Sequence, residues 1–109
     1  MEIPNDFYIW HVFKKMLQSG AIGGRTMNYE NILRGVKSSE RGNVANAFKT
    51  VRKLGFIYKD QRKSNKARLV SLIASKYQEI LDYRNRNTCH CGSFRIPGTP
   101  CTNEKCDHH

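Results

Sequence analysis

Apolar residues along the first twenty positions recur at intervals of three and four. Phe7, Trp10, Phe13 and Leu17, joined by Ile9, Val12 and Met16, form one surface, with Lys14, Lys15 and Gln18 opposite. This periodicity predicts an amphipathic helix from Asp6 to Ser19, capped by Asn5 or Asp6 after Pro4 and ended by Gly20. Trp10 and His11 lie on that pattern and read as core. Residues 20–25 form a loop with room for a short extended segment. The Gly23-Gly24 pair lacks the preceding strand and the Gly-Lys-Ser/Thr sequel of a phosphate loop, so it reads as a turn. Thr26 or Asn28 then opens an expected second helix, Tyr29 to about Val36, buried through Ile32, Leu33 and Val36.

A third helix is expected over about 39–54, after the turn Val36-Lys37-Ser38-Ser39 and ahead of Gly55. At about 100° per residue, Val44, Ala47, Phe48, Val51 and Leu54 share one side. Gly42, Asn46, Lys49 and Lys53 lie opposite, flanked by Ser39, Ala45 and Arg52. Phe56-Ile57-Tyr58 starts a strand, residues 60–66 make a polar turn, and Arg68 to Ile73 reads as the returning strand. Ala74 or Ser75 opens a fourth helix with Tyr77, Ile80, Leu81 and Tyr83 on its apolar side, ending near Arg84-Asn85-Arg86-Asn87. Such a helix packs on the first helix or mediates a homodimer.

Charge changes the picture. The chain has 109 residues and a formal net charge of +10. Residues 38–70 hold nine Lys/Arg against two acids, Glu40 and Asp60, so most of the excess sits on the third helix and the hairpin. That concentration favours a polyanion, because cations that neutralise phosphates release condensed counterions. On the outward side, Ser39, Arg41, Asn46, Lys49, Arg52 and Lys53 combine phosphate-binding cations with an Asn able to read an adenine edge. Lys59, Arg62, Lys63, Lys66 and Arg68 extend the set along the hairpin. Its loop has no aromatic residue, which suits backbone contact or minor-groove insertion.

All four cysteines fall near the end, Cys89, Cys91, Cys101 and Cys106, spaced C-x-C-x9-C-x4-C with Gly92, Pro97, Gly98 and Pro100 between them. Without an export signal, such a cluster points to metal before disulfides. Four thiolates suit one structural zinc ion, with His90, His108 or His109 as substitutes for a cysteine and an iron–sulfur cluster as the minor alternative. Phe94 and Ile96 are the tail's only large apolar residues, so a metal would supply its folding energy. The chain thus divides into 1–87, a folded domain, and 88–109, a metal-binding tail.

The segment NAFKTVRKLGFIYKDQRKSNKARLVSLIASKYQEIL resembles the winged helix-turn-helix superfamily in the small form found among archaeal and bacterial transcription regulators. A helix ending in Leu-Gly, an aromatic-led strand, a basic wing and a final strand running into a helix carry the resemblance, which spans residues 6 to 83. It implies a mainly α fold with a small β-hairpin. It also implies double-stranded DNA binding, the third helix (about 39–54) in the major groove and the wing (about 59–68) on the backbone, often as a dimer. The same fold serves as a docking module in RNA polymerase or replication complexes and as an RNA or ribosome binder, so these remain alternatives. No paired carboxylates, placed nucleophile or phosphate loop suggests an enzyme, and a catalytic zinc lacks a Glu base. No stretch approaches the ~20 apolar residues of a membrane span, and the expected location is cytoplasmic or on the nucleoid.

Overall fold

The computed structural model describes residues 3–63 and 67–101. Helix α1 (Phe7–Gln18) starts where Asp6 accepts a hydrogen bond from the Tyr8 amide, and Ile9, Trp10, Val12, Phe13 and Met16 bury its apolar side. Strand β1 is short (Met27–Asn28); α2 spans Arg41–Lys53, β2 Ile57–Lys63, β3 Ala67–Leu72 and α3 Tyr77–Arg86. The strands form an antiparallel sheet in the order β1-β3-β2. Three helices and this sheet make a small mixed α/β domain.

The expected second helix is reduced to one 3-10 turn, Tyr29–Ile32. Asn28 caps it by accepting from the Glu30 amide, as the sequence suggests. Gly35 then takes a φ of +81°, a left-handed conformation that ends any helix before Val36. The loop of residues 20–25 does hold the expected short extended segment, where Ile22 forms a single parallel bridge with Leu72. Residues 20–24 turn tightly, their backbone bonded to the end of β3 through Gly23 N to Leu72 O and Leu72 N to Ala21 O. Met27 and Asn28 follow as β1, opposite Val70 and Leu69.

The core lies between α1 and the elements around it. Val44, Ala47, Phe48 and Val51 bury the inner side of α2, and Leu54 is half-buried. Phe13 meets the Phe56 and Tyr83 rings edge-on at 5.5 and 5.4 Å. Tyr83 is buried, and its hydroxyl donates to Pro4 O at 2.7 Å, so α3 packs against the start of α1. Tyr77, by contrast, is exposed. At the far end of α2, the Lys76 ammonium lies 3.4 Å from Leu54 O and 4.7 Å from the Phe56 ring centre, a cation placed at a helix C-terminus. Among the described residues, no helix is long and apolar enough to cross a membrane.

Candidate functional site

Helix α2 turns its inner side to α1, and that burial fixes what points outward. Arg41, Asn46, Lys49, Arg52 and Lys53 are all exposed, with Asn43 and Gly42 beside them and Ser39 in the 3-10 turn (Ser38–Glu40) that leads into the helix. On the hairpin, Arg62 and Lys63 are exposed and Lys59 is half-buried. Lys66 lies outside the described residues.

The two acids of this region are both held by partners in the fold. Glu40 accepts a hydrogen bond from the Tyr8 hydroxyl of α1 at 3.2 Å. Asp60 is gripped by Arg68 through two bonds of 2.8 and 2.7 Å and by Arg52 at 3.1 Å. The grip follows from register. Asp60 pairs with Val70 and Arg62 with Arg68, which makes Asp60 and Arg68 diagonal neighbours on one face. Arg68 also lies over the Tyr29 and Phe48 rings, 4.3 and 5.1 Å from their centres. Its hydrogen bonds hold the Asp60 carboxyl below the usual carboxylate range, and Asp60 in turn raises Arg68. Burial raises the Tyr29 phenol, against the opposing charge of Arg68. Arg68 thus has its charge turned toward Asp60 and the two rings; its side chain is 25 % exposed, against 51 % for Arg52, which also bonds to Asp60. Sequence alone did not mark Tyr8 or the Tyr29–Phe48 pair, because their roles arise only from contacts between distant elements.

The second grouping is built by a tight turn. Cys89 N donates to Ser93 O and Gly92 N to Cys89 O, both at 2.8 Å, with Gly92 at a φ of +91°. Thr88 pairs with Phe94 across the turn. This places the sulfurs of Cys89, Cys91 and Cys101 within 4.8 Å of one another, with Cys91 and Cys101 at 3.5 Å. Tetrahedral zinc with bonds of about 2.3 Å sets its sulfurs about 3.8 Å apart, so the spacing is compatible with a metal ion. Cys89 and Cys101 are buried and Cys91 is exposed. His90 Nδ1 lies 3.5 Å from the Cys89 sulfur but His90 does not join the three-sulfur group. Cys106, His108 and His109 lie outside the described residues.

The turn does not hang from the domain. Phe94 is 6 % exposed and packs against Phe7 and Trp10 of α1, with ring centres 5.7 and 5.5 Å away. The Trp10 indole donates to the Thr88 hydroxyl at 2.8 Å, and Arg95 N bonds to Asn87 O at 2.7 Å. The division at residue 87 is thus crossed by apolar and polar contacts. His11 is buried, as expected for core, with Nε2 donating to Ile32 O at 2.8 Å.

No protein-family model, curated protein or solved structure matches the chain.

Proposed function

We propose that this protein binds double-stranded DNA through the outward side of α2 and the β2–β3 hairpin, as a transcription regulator with a structural zinc ion in its cysteine turn. One observation carries the reading. The outward face presents Arg41, Asn46, Lys49, Arg52 and Lys53, while both acids of the same region are paired within the protein, Glu40 with Tyr8 and the exposed Asp60 with Arg68 and Arg52. A merely solvated face would mix acids and bases. A helix followed by an antiparallel hairpin whose second strand is central is in keeping with the winged-helix resemblance; the single turn at Tyr29–Ile32 departs from it. In this reading α2 enters the major groove, with Asn46 at a base edge and Lys49 and Lys53 on phosphates. Arg62 and Lys63 then lie along the backbone. Cys89, Cys91 and Cys101 supply three thiolates to zinc, which replaces a hydrophobic core the turn does not have.

Fluorescence anisotropy with a labelled duplex at two salt concentrations tests this. For six or more phosphate contacts, raising salt from about 50 to 200 mM lowers affinity by about 10³ or more. Affinity independent of salt would overturn the proposal. A second reading, RNA binding, is favoured by one feature. Tyr58 on β2 is 58 % exposed and borders an open groove of about 370 Å³ with Gly23, Gly24 and Ser75, a surface on which an unpaired base could stack. Competition between duplex DNA and structured RNA separates the two readings, and Tyr58→Ala weakens only RNA binding.

A further inference from the structure

The cysteine turn and the outward face of α2 lie on different parts of the fold, yet both are fastened to the first two turns of α1. On one side, Phe94 sits against Phe7 and Trp10, and Thr88 accepts from the Trp10 indole. On the other, the neighbouring residue Tyr8 donates to Glu40, the residue immediately before α2. That bond ties the turn leading into α2 to α1, at a helix start that no side chain caps and whose Arg41 amide bonds to Ser38 O of the 3-10 turn. Without Tyr8, the Glu40 carboxylate is also released at the end of the helix that faces the polyanion.

We propose that a soft divalent cation such as zinc, bound by the thiolates of Cys89, Cys91 and Cys101, acts as an effector that strengthens nucleic-acid binding by α2. This rests on the DNA-binding reading and goes beyond a structural role for the metal. A cation shared by Cys89, Cys91 and Cys101 closes the loop of residues 89–101. Among the described residues of that loop, Phe94 is the one large apolar side chain that is buried. Loop closure removes chain entropy that one aromatic side chain and the few backbone hydrogen bonds of the turn offset poorly. Metal therefore favours the state in which Phe94 is seated. Seated Phe94 holds Phe7 and Trp10, and with them the turn of α1 that positions Tyr8 over Glu40. The effector acts because it binds the seated state more tightly than the unseated one. Linkage then requires that duplex DNA tighten metal binding by the same factor.

Trp10, the chain's one tryptophan, reports on the seat directly. The experiment uses the full chain stripped with a chelator and then titrated with zinc, following Trp10 emission without DNA and duplex anisotropy with it. Zinc is expected to shift Trp10 emission and to tighten DNA binding by roughly 5- to 150-fold, the usual span of coupling between sites. In Phe94→Ala, cadmium still gives its thiolate charge-transfer absorption, but the emission and DNA responses to zinc both disappear. Phe94→Leu retains part of each. Tyr8→Phe keeps the emission response and loses most of the DNA response.

Stoichiometric zinc binding with no change in Trp10 emission or DNA affinity overturns the inference. So does a full DNA response in Phe94→Ala. Loss of all helical signal on metal removal also overturns it, in favour of zinc as a folding requirement alone. If the protein fails to bind duplex in either metal state, the DNA-binding reading falls first, and the zinc response of Trp10 still decides separately whether the seat is metal-dependent.

Discussion

Helices α2 and α3 are alike on the inside and unlike on the outside. Each lays one side against α1, with Phe48 and Val51 buried in α2 and Ile80 and Tyr83 in α3. Packing fixes those inner positions and leaves the outer ones to other demands. The outer side of α3 mixes signs, with Gln78, Glu79, Asp82, Asn85 and Arg86 exposed and a Gln78–Asp82 hydrogen bond of 2.9 Å between successive turns. The outer side of α2 carries Arg41, Lys49, Arg52 and Lys53 with no exposed acid. Solvation is satisfied by the first pattern; the acid-free second pattern is the feature on which the proposed anionic partner rests.

Four measurements break or sharpen this contrast. The largest effects belong to the shared inner sides. Phe48→Ala is expected to lower unfolding free energy by about 3–5 kcal/mol and Ile80→Ala by about 2–5 kcal/mol, through the cavities left behind. Denaturant midpoints that move for one and not the other would break the inner equivalence. Next come the outer sides. Lys49→Glu with Lys53→Glu should weaken duplex binding by about 100-fold, roughly 2.8 kcal/mol. Glu79→Lys with Asp82→Lys on α3 should leave it within about twofold, and both double variants should stay within about 0.5 kcal/mol per site of wild-type stability. Equal losses of binding would remove the distinction between the helices.

The Asp60 grip gives a smaller effect. Asp60→Asn is expected to lower stability by about 1–2 kcal/mol by loosening bonds to charged partners. Duplex affinity should hold or rise, since one negative charge leaves the face; a fall would mean that Asp60 orders Arg52 for contact. The smallest effect is a pH dependence. Burial lowers the His11 pKa from its ordinary 6.5, so the neutral imidazole is favoured in the fold. The unfolded chain then binds the proton more readily, and stability present above pH 6.5 declines as pH falls toward the lowered value. His11→Gln should flatten that decline in thermal melts. Asp60 acts separately, its contribution being present above 3.8 and lost only as acid reaches its depressed pKa.

Much of the fold was legible because periodicity reports burial. The spacing of Phe13 and Met16, of Phe48 and Val51, and of Ile80 and Tyr83 located α1, α2 and α3, and the aromatic-led run at Phe56 located the hairpin. The stretch Tyr29–Val36 misled for a physical reason. Ile32, Leu33 and Val36 have helical spacing, but Gly35 breaks the backbone between them in a way that spacing does not encode. The candidate site was legible as a composition and not as a geometry. Counting acids singled out Glu40 and Asp60, while their capture by Tyr8 and Arg68 depended on contacts 32 and 8 residues apart. The cysteines were visible by type, and three of them come together. That Phe94 joins the main core was hidden, since one aromatic in a polar tail has no periodicity to place it.

The way the first helix is held has a consequence for the order in which the chain acquires structure. Tyr83 bonds to Pro4 across 79 positions, and Trp10 to Thr88 across 78. Synthesis runs from the N-terminus, so α1 emerges long before either fastening exists. Helix α2 and the hairpin, whose pairing is local, can assemble meanwhile. One flank of α1, around Phe7 and Trp10, then stays uncovered until residues 83–94 have left the ribosome. The nascent chain thus passes through an interval with the aromatic residues of α1 bare, and that interval is where chaperone contact and misassembly would concentrate.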